Sequence, residues 1–394
     1  MIYKRFKDLQ LSSLGMGVMR LPATGPGYGA PIDYPKAKEL LEYAYTNGVN
    51  YYDTSYFYHD GDSERFLGKT MAQFPRDSWY LASKLPGNLM KFDGSKLEVS
   101  GKSFSRPVDV FDFQMERCGV DYFDFFMLHN VSESTYGIYT NEKLGLIDCL
   151  LEQKAKGRIR HLGFSSHGRP GTIENFLNYL AARGCKDFEF VMIQMNYMDW
   201  ALQEASKKYD IITKHGLPVF VMEPLRGGKL ANLRADADAM LKAARPVDSH
   251  AAWAFRYLQS FDNIPVVLSG MSTLEQLKEN LRLFSQHDPL TQGETKLLQN
   301  VMESIVELVP CTSCRYCVED CPQNLDIPTL LTMYNEAGYD MGWFLNAAIR
   351  ALKDDERPCA CISCGKCNPL CPQNINIPQA LAAFSEKINP SPRA

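Results

Sequence analysis

YFDFFMLH (122–129), NEKLGLIDCLLEQKAKG (141–157) and IRHLGFSS (159–166) read as strand, helix and strand in close succession. The first run is almost continuously apolar, the pattern of a parallel strand covered on both faces. The middle run is helical in pattern and closes on Gly157, which is C-cap chemistry. The same alternation extends in both directions. Strands are expected at LGMGVMR (14–20), VNYYDTS (49–55), WYLASKL (79–85), FVMIQMN (190–196), LPVFVME (217–223) and IPVVLSG (264–270), which brings the total to eight. Helices fit YPKAKELLEYAYTNG (34–48), SERFLGKTMAQF (63–74), LQEASKKYDIITKHG (202–216) and TLEQLKENLRLF (273–284), and Gly48 and Gly216 end two of them as Gly157 ends the first. Eight βα units in about 280 residues fit a (β/α)₈ TIM barrel. A doubly wound sheet is the competing layout, but no G-x-G-x-x-G follows the first strand to support it. KLPGNLMKFDGSKLEVSGKSFSRP (84–107) reads as a long polar loop after strand three, either a substrate cover or a solvated insertion.

Beyond the barrel, TKLLQNVMESIVELVP (295–310) places Leu297, Val301 and Ile305 beside Leu298, Met302 and Val306, an amphipathic helix ended by Pro310. The expected division is therefore a barrel over 1–285, a linker helix over 286–310 and a small, mainly α-helical domain over 311–394. The 394 residues are 45% hydrophobic and 22% charged, an ordinary globular composition for an α/β chain of this size. A net charge of −4 gives no electrostatic reason to bind nucleic acid or an anionic membrane. No apolar run approaches the ~20 residues that span a bilayer. MIYKRFKDLQLSS lacks the apolar core of a secretory signal, so a cytoplasmic location is expected.

Of the 12 cysteines, Cys118, Cys149 and Cys185 lie alone, and nine crowd between 311 and 371. Such clustering in a long chain points to metal in a reducing compartment and away from a disulfide scaffold. CTSCRYCVEDCPQNLDIPTLL (311–331) repeats as CISCGKCNPLCPQNINIPQAL (361–381) at an offset of 50 residues. Each copy is C-x₂-C-x₂-C-x₃-C-P. Three thiolates at that spacing can wrap three irons of one cubane, while the fourth, turned away by its proline, reaches the other. The pattern resembles two-cluster ferredoxins. The resemblance assigns Cys311, Cys314, Cys317 and Cys371 to one [4Fe–4S] cluster, and Cys361, Cys364, Cys367 and Cys321 to the second. Paired structural zinc sites are the alternative, since zinc also takes C-x₂-C units. Cys359 has no slot in the motif and reads as a structural thiol. The helical stretches between the copies look more like the α-helical ferredoxins of respiratory iron–sulfur subunits than like compact bacterial ferredoxins.

DTSYFYHDGDSE (53–64) has an aspartate at a strand end, a tyrosine five residues later, and a Gly and Ser-Glu opening a helix. With Lys84 in LASKL and His129 in YFDFFMLH, it resembles the aldo-keto reductases over about 285 residues. The resemblance implies Asp53, Tyr58, Lys84 and His129 as catalytic residues. Strand-end position supports this, because the C-terminal ends of barrel strands lie side by side at the catalytic mouth. A carbonyl receiving hydride needs a proton. Tyr58 is the expected general acid, with Lys84 expected to lower a phenol pKa of ordinarily about 10. Asp53 would hold Lys84, and His129 would orient the carbonyl. The remaining histidines, His59, His161, His167, His215, His250 and His287, show no metal-ligand spacing.

Cofactor positions follow from the same resemblance. Ser165, Ser166 and Gln194 would hold the nicotinamide carboxamide. Met222, Glu223, Pro224, Leu225, Arg226, Gly227 and Gly228 would wrap the pyrophosphate, with Met222 where many members stack an aromatic ring. Gly270, Met271, Ser272, Gln276, Glu279 and Asn280 would lie around the adenosine, with Met271 and Gln276 near the positions where the family usually offers basic residues to a 2′-phosphate. A phosphate wants arginine or lysine, so both NADP(H) and NAD(H) stay open as the cofactor. The expected function is reduction of an aldehyde or ketone, or the reverse, by hydride transfer from a nicotinamide. The alternative is an electron-transfer protein whose clusters exchange electrons with an external one-electron partner, the barrel serving as a docking or flavin-assisted module.

Overall fold

The computed structural model describes residues 1–25, 30–305, 308–311 and 314–389. Eight strands form the barrel: β1 (Leu14–Gly17), β2 (Tyr51–Asp53), β3 (Tyr80–Leu85), β4 (Phe123–Leu128), β5 (Ile159–Ser166), β6 (Phe188–Gln194), β7 (Val219–Met222) and β8 (Val267–Ser269). They close in sequential order, with β8 beside β1, and every neighbouring pair is parallel. The eight expected strands are these eight: β5 keeps its expected bounds, β6 starts and ends two residues earlier, and the others are shorter at their ends than expected. Register fixes the mouth. Gly17 pairs with Asp53, Asp53 with Ala82, and Leu85 with Leu128, so Asp53, Lys84 and His129 all fall at or next to the C-terminal ends of adjacent strands.

An antiparallel hairpin, Tyr3–Phe6 with Leu9–Ser12, precedes the barrel and was not anticipated, because YKRF is short and basic. It packs Phe6 against Phe125, Phe190 and Phe220, near the starts of their strands, with ring centroids 5.4–6.1 Å apart. The helix over Tyr34–Thr46 is capped by Asp33, whose side chain accepts from the Lys36 amide, and Gly48 leaves it at φ +89°. Helices Asp62–Met71 and Pro107–Cys118 approach closely at Gly68. A Cβ there would lie 1.9 Å from the Cys118 carbonyl oxygen.

The segment after β3 corrects the loop expectation. It folds as a three-stranded antiparallel sheet, Met90–Phe92, Leu97–Val99 and Lys102–Phe104. Leu97 and Val99 are buried while Glu98 between them is partly exposed, a period-two pattern too short to stand out among polar turns. Asp93 holds the first turn, its carboxylate accepting from the Ser95 and Lys96 amides at 2.9 and 2.7 Å.

By internal contacts the chain forms two units. The first comprises Met1–Asn196, Ser206–Asn232 and Val247–Thr291; the second comprises Tyr197–Ala205, Leu233–Pro246 and the chain from Gln292 onward. Two short segments of the barrel region thus pack with the second unit. The amphipathic helix spans Gln292–Ile305 and buries Leu298, Val301 and Met302; Val306 lies outside the described residues. Helices Ile327–Tyr339, Trp343–Ala351 and Ile377–Ile388 follow. Leu330, Leu331, Ile349, Ile377, Leu381 and Phe384 form the core of this unit, together with Cys317 and Cys367. Among the described residues no helix is long and apolar enough to cross a membrane.

Candidate active site and cysteine cavities

At the barrel mouth the Lys84 ammonium donates to Asp53 Oδ1 at 2.5 Å and to the Thr54 carbonyl at 2.8 Å, and lies 3.4 Å from the Tyr58 hydroxyl. All three side chains are buried. His129 follows β4, with its ring stacked on Phe57 at 5.1 Å and edge-on to Tyr58 at 6.1 Å. Its Nδ1 is 3.0 Å from Ser55 Oγ. The structure therefore brings Asp53, Tyr58, Lys84 and His129 into one constellation from β2, β3, β4 and the loop after β2.

Electrostatics here differ from expectation in one respect. Burial pushes the Tyr58 phenol well above its ordinary value, the Asp53 and Glu223 carboxylates add to the rise, and Arg20 opposes it. Lys84 does not bring the phenol down, because the solvation lost by a phenolate here outweighs what nearby cations return. Burial, then Lys84 and His167, hold the His129 imidazole well below its ordinary value, so it is neutral at pH 7. His167 is held down as well, chiefly by burial and by Lys208, with Gln194 hydrogen-bonded to its ring.

A second set of residues frames the loop that carries Tyr58. The Arg117 guanidinium donates to the Tyr56 carbonyl at 2.5 Å and the Gly61 carbonyl at 2.6 Å, on either side of Tyr58. Its charge is met by Glu64 at 3.0 Å, itself fully buried. Gly61 has φ +86°, and a Cβ there would fall 2.2 Å from the Arg117 guanidinium. Gln114 donates to Glu64, Ser83 and the Lys84 carbonyl, tying β3 to the same network. Tyr139 donates to the His129 carbonyl at 2.6 Å and accepts from the Gly87 amide at 3.0 Å. Sequence reasoning missed these residues. The available signal was Gln114 with Arg117, polar side chains three apart on a helix whose neighbouring positions are apolar.

The expected cofactor positions lie at or beyond the C-terminal ends of β5 to β8. Ser165 Oγ accepts from the Asn130 amide at 2.9 Å, and Ser166 Oγ donates to the Val131 carbonyl at 2.6 Å. Both hydroxyls keep acceptor capacity, and Gln194 is buried beside them at the end of β6. Such hydroxyl and amide groups suit a carboxamide. Past Met222 and Pro224 the chain turns over Leu225 and Arg226, and Gly227 and Gly228 take φ of +68° and +93°. Glu223 accepts from the Gly227 amide at 2.5 Å and faces Arg20 at 3.8 Å. Arg20, another residue the sequence did not single out, also accepts at its carbonyl from Ser272 at 2.7 Å and lies against Gly270. Met271 is buried, and the Gln276 amide oxygen turns back to the Ser272 amide at 2.8 Å. Asn280 donates to Ser269 at 3.1 Å, and Glu279 is half-buried on the same helix.

In the second unit the eight motif cysteines face two cavities. One is lined by Cys311, Cys314, Cys317 and Cys371; the other by Cys361, Cys364, Cys367 and Cys321. Each cavity thus takes three cysteines from one copy of the motif and one from the other, with Pro328, Leu331 and Ile377 walling the first and Leu325, Ile327 and Leu381 the second. Burial and the neighbouring Cys311 push the Cys317 thiol up to about 11. Among the described residues no group of three His, Cys, Asp or Glu side chains closes on a point that could hold a single ion. Four thiols around a cavity fit a cubane, whose irons sit apart from one another. Cys359 is exposed and lines neither cavity.

Comparison with known proteins agrees with both halves of the chain. Residues 13–303 match the Aldo/keto reductase family, and residues 310–377 match a 4Fe-4S dicluster domain. The uncharacterized oxidoreductase YqkF of Bacillus subtilis is 25% identical over 74% of this chain and 93% of its own length. An NADH-specific methylglyoxal reductase of Escherichia coli is 21% identical over 76% of this chain and 97% of its own. Among solved structures, the holo form of aldo-keto reductase AKR11C1 from Bacillus halodurans is 25% identical with a TM-score of 0.59, covering 76% of this chain and 96% of that one.

Proposed function

The chain belongs to the aldo/keto reductase family of oxidoreductases, and from that premise we propose that it reduces a small aldehyde or ketone with a nicotinamide dinucleotide, Tyr58 acting as general acid. One observation carries the reading: Lys84 bridges Asp53 at 2.5 Å and the Tyr58 hydroxyl at 3.4 Å in a buried pocket that His129 also enters. The raised phenol stays protonated at neutral pH, so Tyr58 holds the proton that the carbonyl oxygen must receive. As that proton leaves, the Lys84 ammonium faces the developing phenolate, and Asp53 keeps Lys84 in place. Neutral His129 orients the carbonyl oxygen towards Tyr58. The dinucleotide, when bound, supplies the hydride. Ser165, Ser166 and Gln194 would hold its carboxamide, Met222 to Gly228 its pyrophosphate, and Gly270, Met271, Ser272, Gln276, Glu279 and Asn280 its adenosine.

The second unit is proposed to hold two [4Fe–4S] clusters, one in each four-cysteine cavity, which exchange single electrons with an external redox partner. Supporting this is the exchange of the fourth cysteine between motif copies. The test of the barrel reading is Tyr58→Phe. It should lower carbonyl reduction by about 10²–10⁴-fold and leave dinucleotide affinity unchanged by fluorescence titration. Near-normal turnover would move the acid elsewhere.

A further inference from the structure

Ser55 lies between Asp53 and Tyr58 in sequence, fully buried, and its hydroxyl meets His129 Nδ1 at 3.0 Å. Among the described residues that hydroxyl has no other hydrogen-bond partner. The imidazole is neutral, because burial and the positive charge of Lys84 disfavour its protonation. A neutral imidazole carries one N–H, and which nitrogen holds it decides whether the ring can donate to a substrate. Two arrangements are conceivable. If Nδ1 carried the hydrogen and donated to Ser55, the serine's own hydrogen would be buried with no acceptor, and Nε2 would face the mouth as a bare acceptor. If Ser55 donates to Nδ1, both groups are satisfied and Nε2 carries the hydrogen. Burying a hydroxyl hydrogen with no acceptor is unfavourable, so the second arrangement prevails.

We infer that Ser55 is a positioning residue that fixes His129 in the tautomer with hydrogen on Nε2, the form able to donate to a carbonyl oxygen. The rest of the ring's surroundings agree. Phe57 stacks on one face and Tyr58 stands edge-on, so neither competes for a ring nitrogen. Tyr139 holds the His129 backbone through its carbonyl, which fixes where the ring starts from while Ser55 fixes which edge it presents. Nε2 makes no hydrogen bond among the described residues, which leaves it available to a ligand. This inference rests on the reading of His129 as the group that orients the substrate carbonyl.

The test is ¹⁵N–¹H correlation spectroscopy of the imidazole side chains in the full-length, cluster-loaded protein, with His129 assigned by loss of its signals in His129→Gln. Wild type should show a bare Nδ1 and a protonated Nε2. Ser55→Ala should show both tautomers in exchange, with kcat lowered about three- to tenfold, the range one hydrogen bond commands, and KM for the dinucleotide unchanged. Ser55→Thr, which keeps the hydroxyl, should restore both the single tautomer and kcat. A protonated Nδ1 in wild type, or Ser55→Ala signals identical to wild type, would overturn the inference. Failure of the underlying reading is separate: His129→Gln with wild-type turnover removes the donor role, whatever the spectra show for Ser55.

Discussion

At the barrel mouth the charged groups are paired with groups of the same chain. Lys84 has Asp53 and the Thr54 carbonyl, Arg117 has Glu64 and two carbonyls, and His129 has Ser55. In the second unit, eight cysteines instead line two cavities whose walls are largely apolar, with Arg315 and Gln373 at one and Lys366 and Gln323 at the other. The first arrangement is held by the chain's own ion pairs and hydrogen bonds, with Asp53 Oδ2 buried and without a hydrogen bond among the described residues. The second gathers thiols, which bind a metal only as they lose their protons, so metal binding and folding are expected to be coupled there. Within a single chain, then, one site is held by its own ion pairs and the other gathers thiols suited to a metal guest.

The largest effect should come from the cavities. Cys314→Ser with Cys364→Ser should take iron from about eight per chain, the content of two cubanes, to near none by metal analysis of anaerobic protein. Amide exchange in Ile327–Tyr339 and Ile377–Ile388 should accelerate to that of open chain, while the barrel strands keep their protection. Retained protection in those helices would mean that the second unit stands without its guest, and the contrast fails. Zinc in place of iron in wild type would remove the cubane assignment itself.

Next is the barrel's buried pair. Lys84→Met strands the Asp53 carboxylate and should cost about 3–5 kcal/mol in chemical denaturation. Adding Asp53→Leu should recover most of that stability and none of the activity. A mouth that tolerates Lys84→Met without loss would not be held by its own ion pairs in the sense argued above.

A smaller effect comes from pH. The folded-state pKa values of His129 and His167 are depressed, so the unfolded chain takes up protons first as pH falls. Their neutral burial is therefore fully stabilising above the unfolded value of about 6.5 and is progressively lost below it. The barrel should lose up to about 1.4 kcal/mol per pH unit for each histidine below that point, down to its folded pKa. Thermal melts of wild type against His129→Gln with His167→Gln read this directly, and parallel pH profiles would refute it.

The smallest effect concerns the dinucleotide. With Met271 buried and Gln276 turned to Ser272, no charged partner for a 2′-phosphate comes from these two positions. Affinities for NADPH and NADH should differ by less than about tenfold, short of what a charge-assisted hydrogen bond contributes. A larger preference for NADPH would show that cations such as Lys278 or Arg282 reach the site.

The barrel was legible because most of its strands are largely apolar runs, as FDFFML, which stops at His129, shows. The cysteine cavities were legible because the four cysteines of each copy sit within ten residues of one another and the pattern is written twice. What escaped has a common physical cause. The hairpin of Tyr3–Phe6 and Leu9–Ser12 and the sheet of 90–104 have strands of three or four residues, too few for period two to outweigh their lysines and turns. The companions of the proposed catalytic residues escaped because their partners are far away in sequence. Arg117 meets Tyr56 across 61 residues and Ser55 meets His129 across 74. The rise in the Tyr58 phenol was missed because sequence identifies neighbours by charge but not the depth at which they are buried.

The exchange of Cys321 and Cys371 between cavities also bears on the order of synthesis. A ribosome delivers the first motif before the second, yet the cavity built on Cys311, Cys314 and Cys317 lacks a wall until Cys371 has emerged. The other cavity draws on Cys321, which by then has been waiting through 40 residues of translation to Cys361. Neither can close early. A nascent chain stalled between the copies has no finished half to protect, and a gene cut there yields two fragments that each lack a ligand. The repeat looks modular, but each of its two cavities needs both copies.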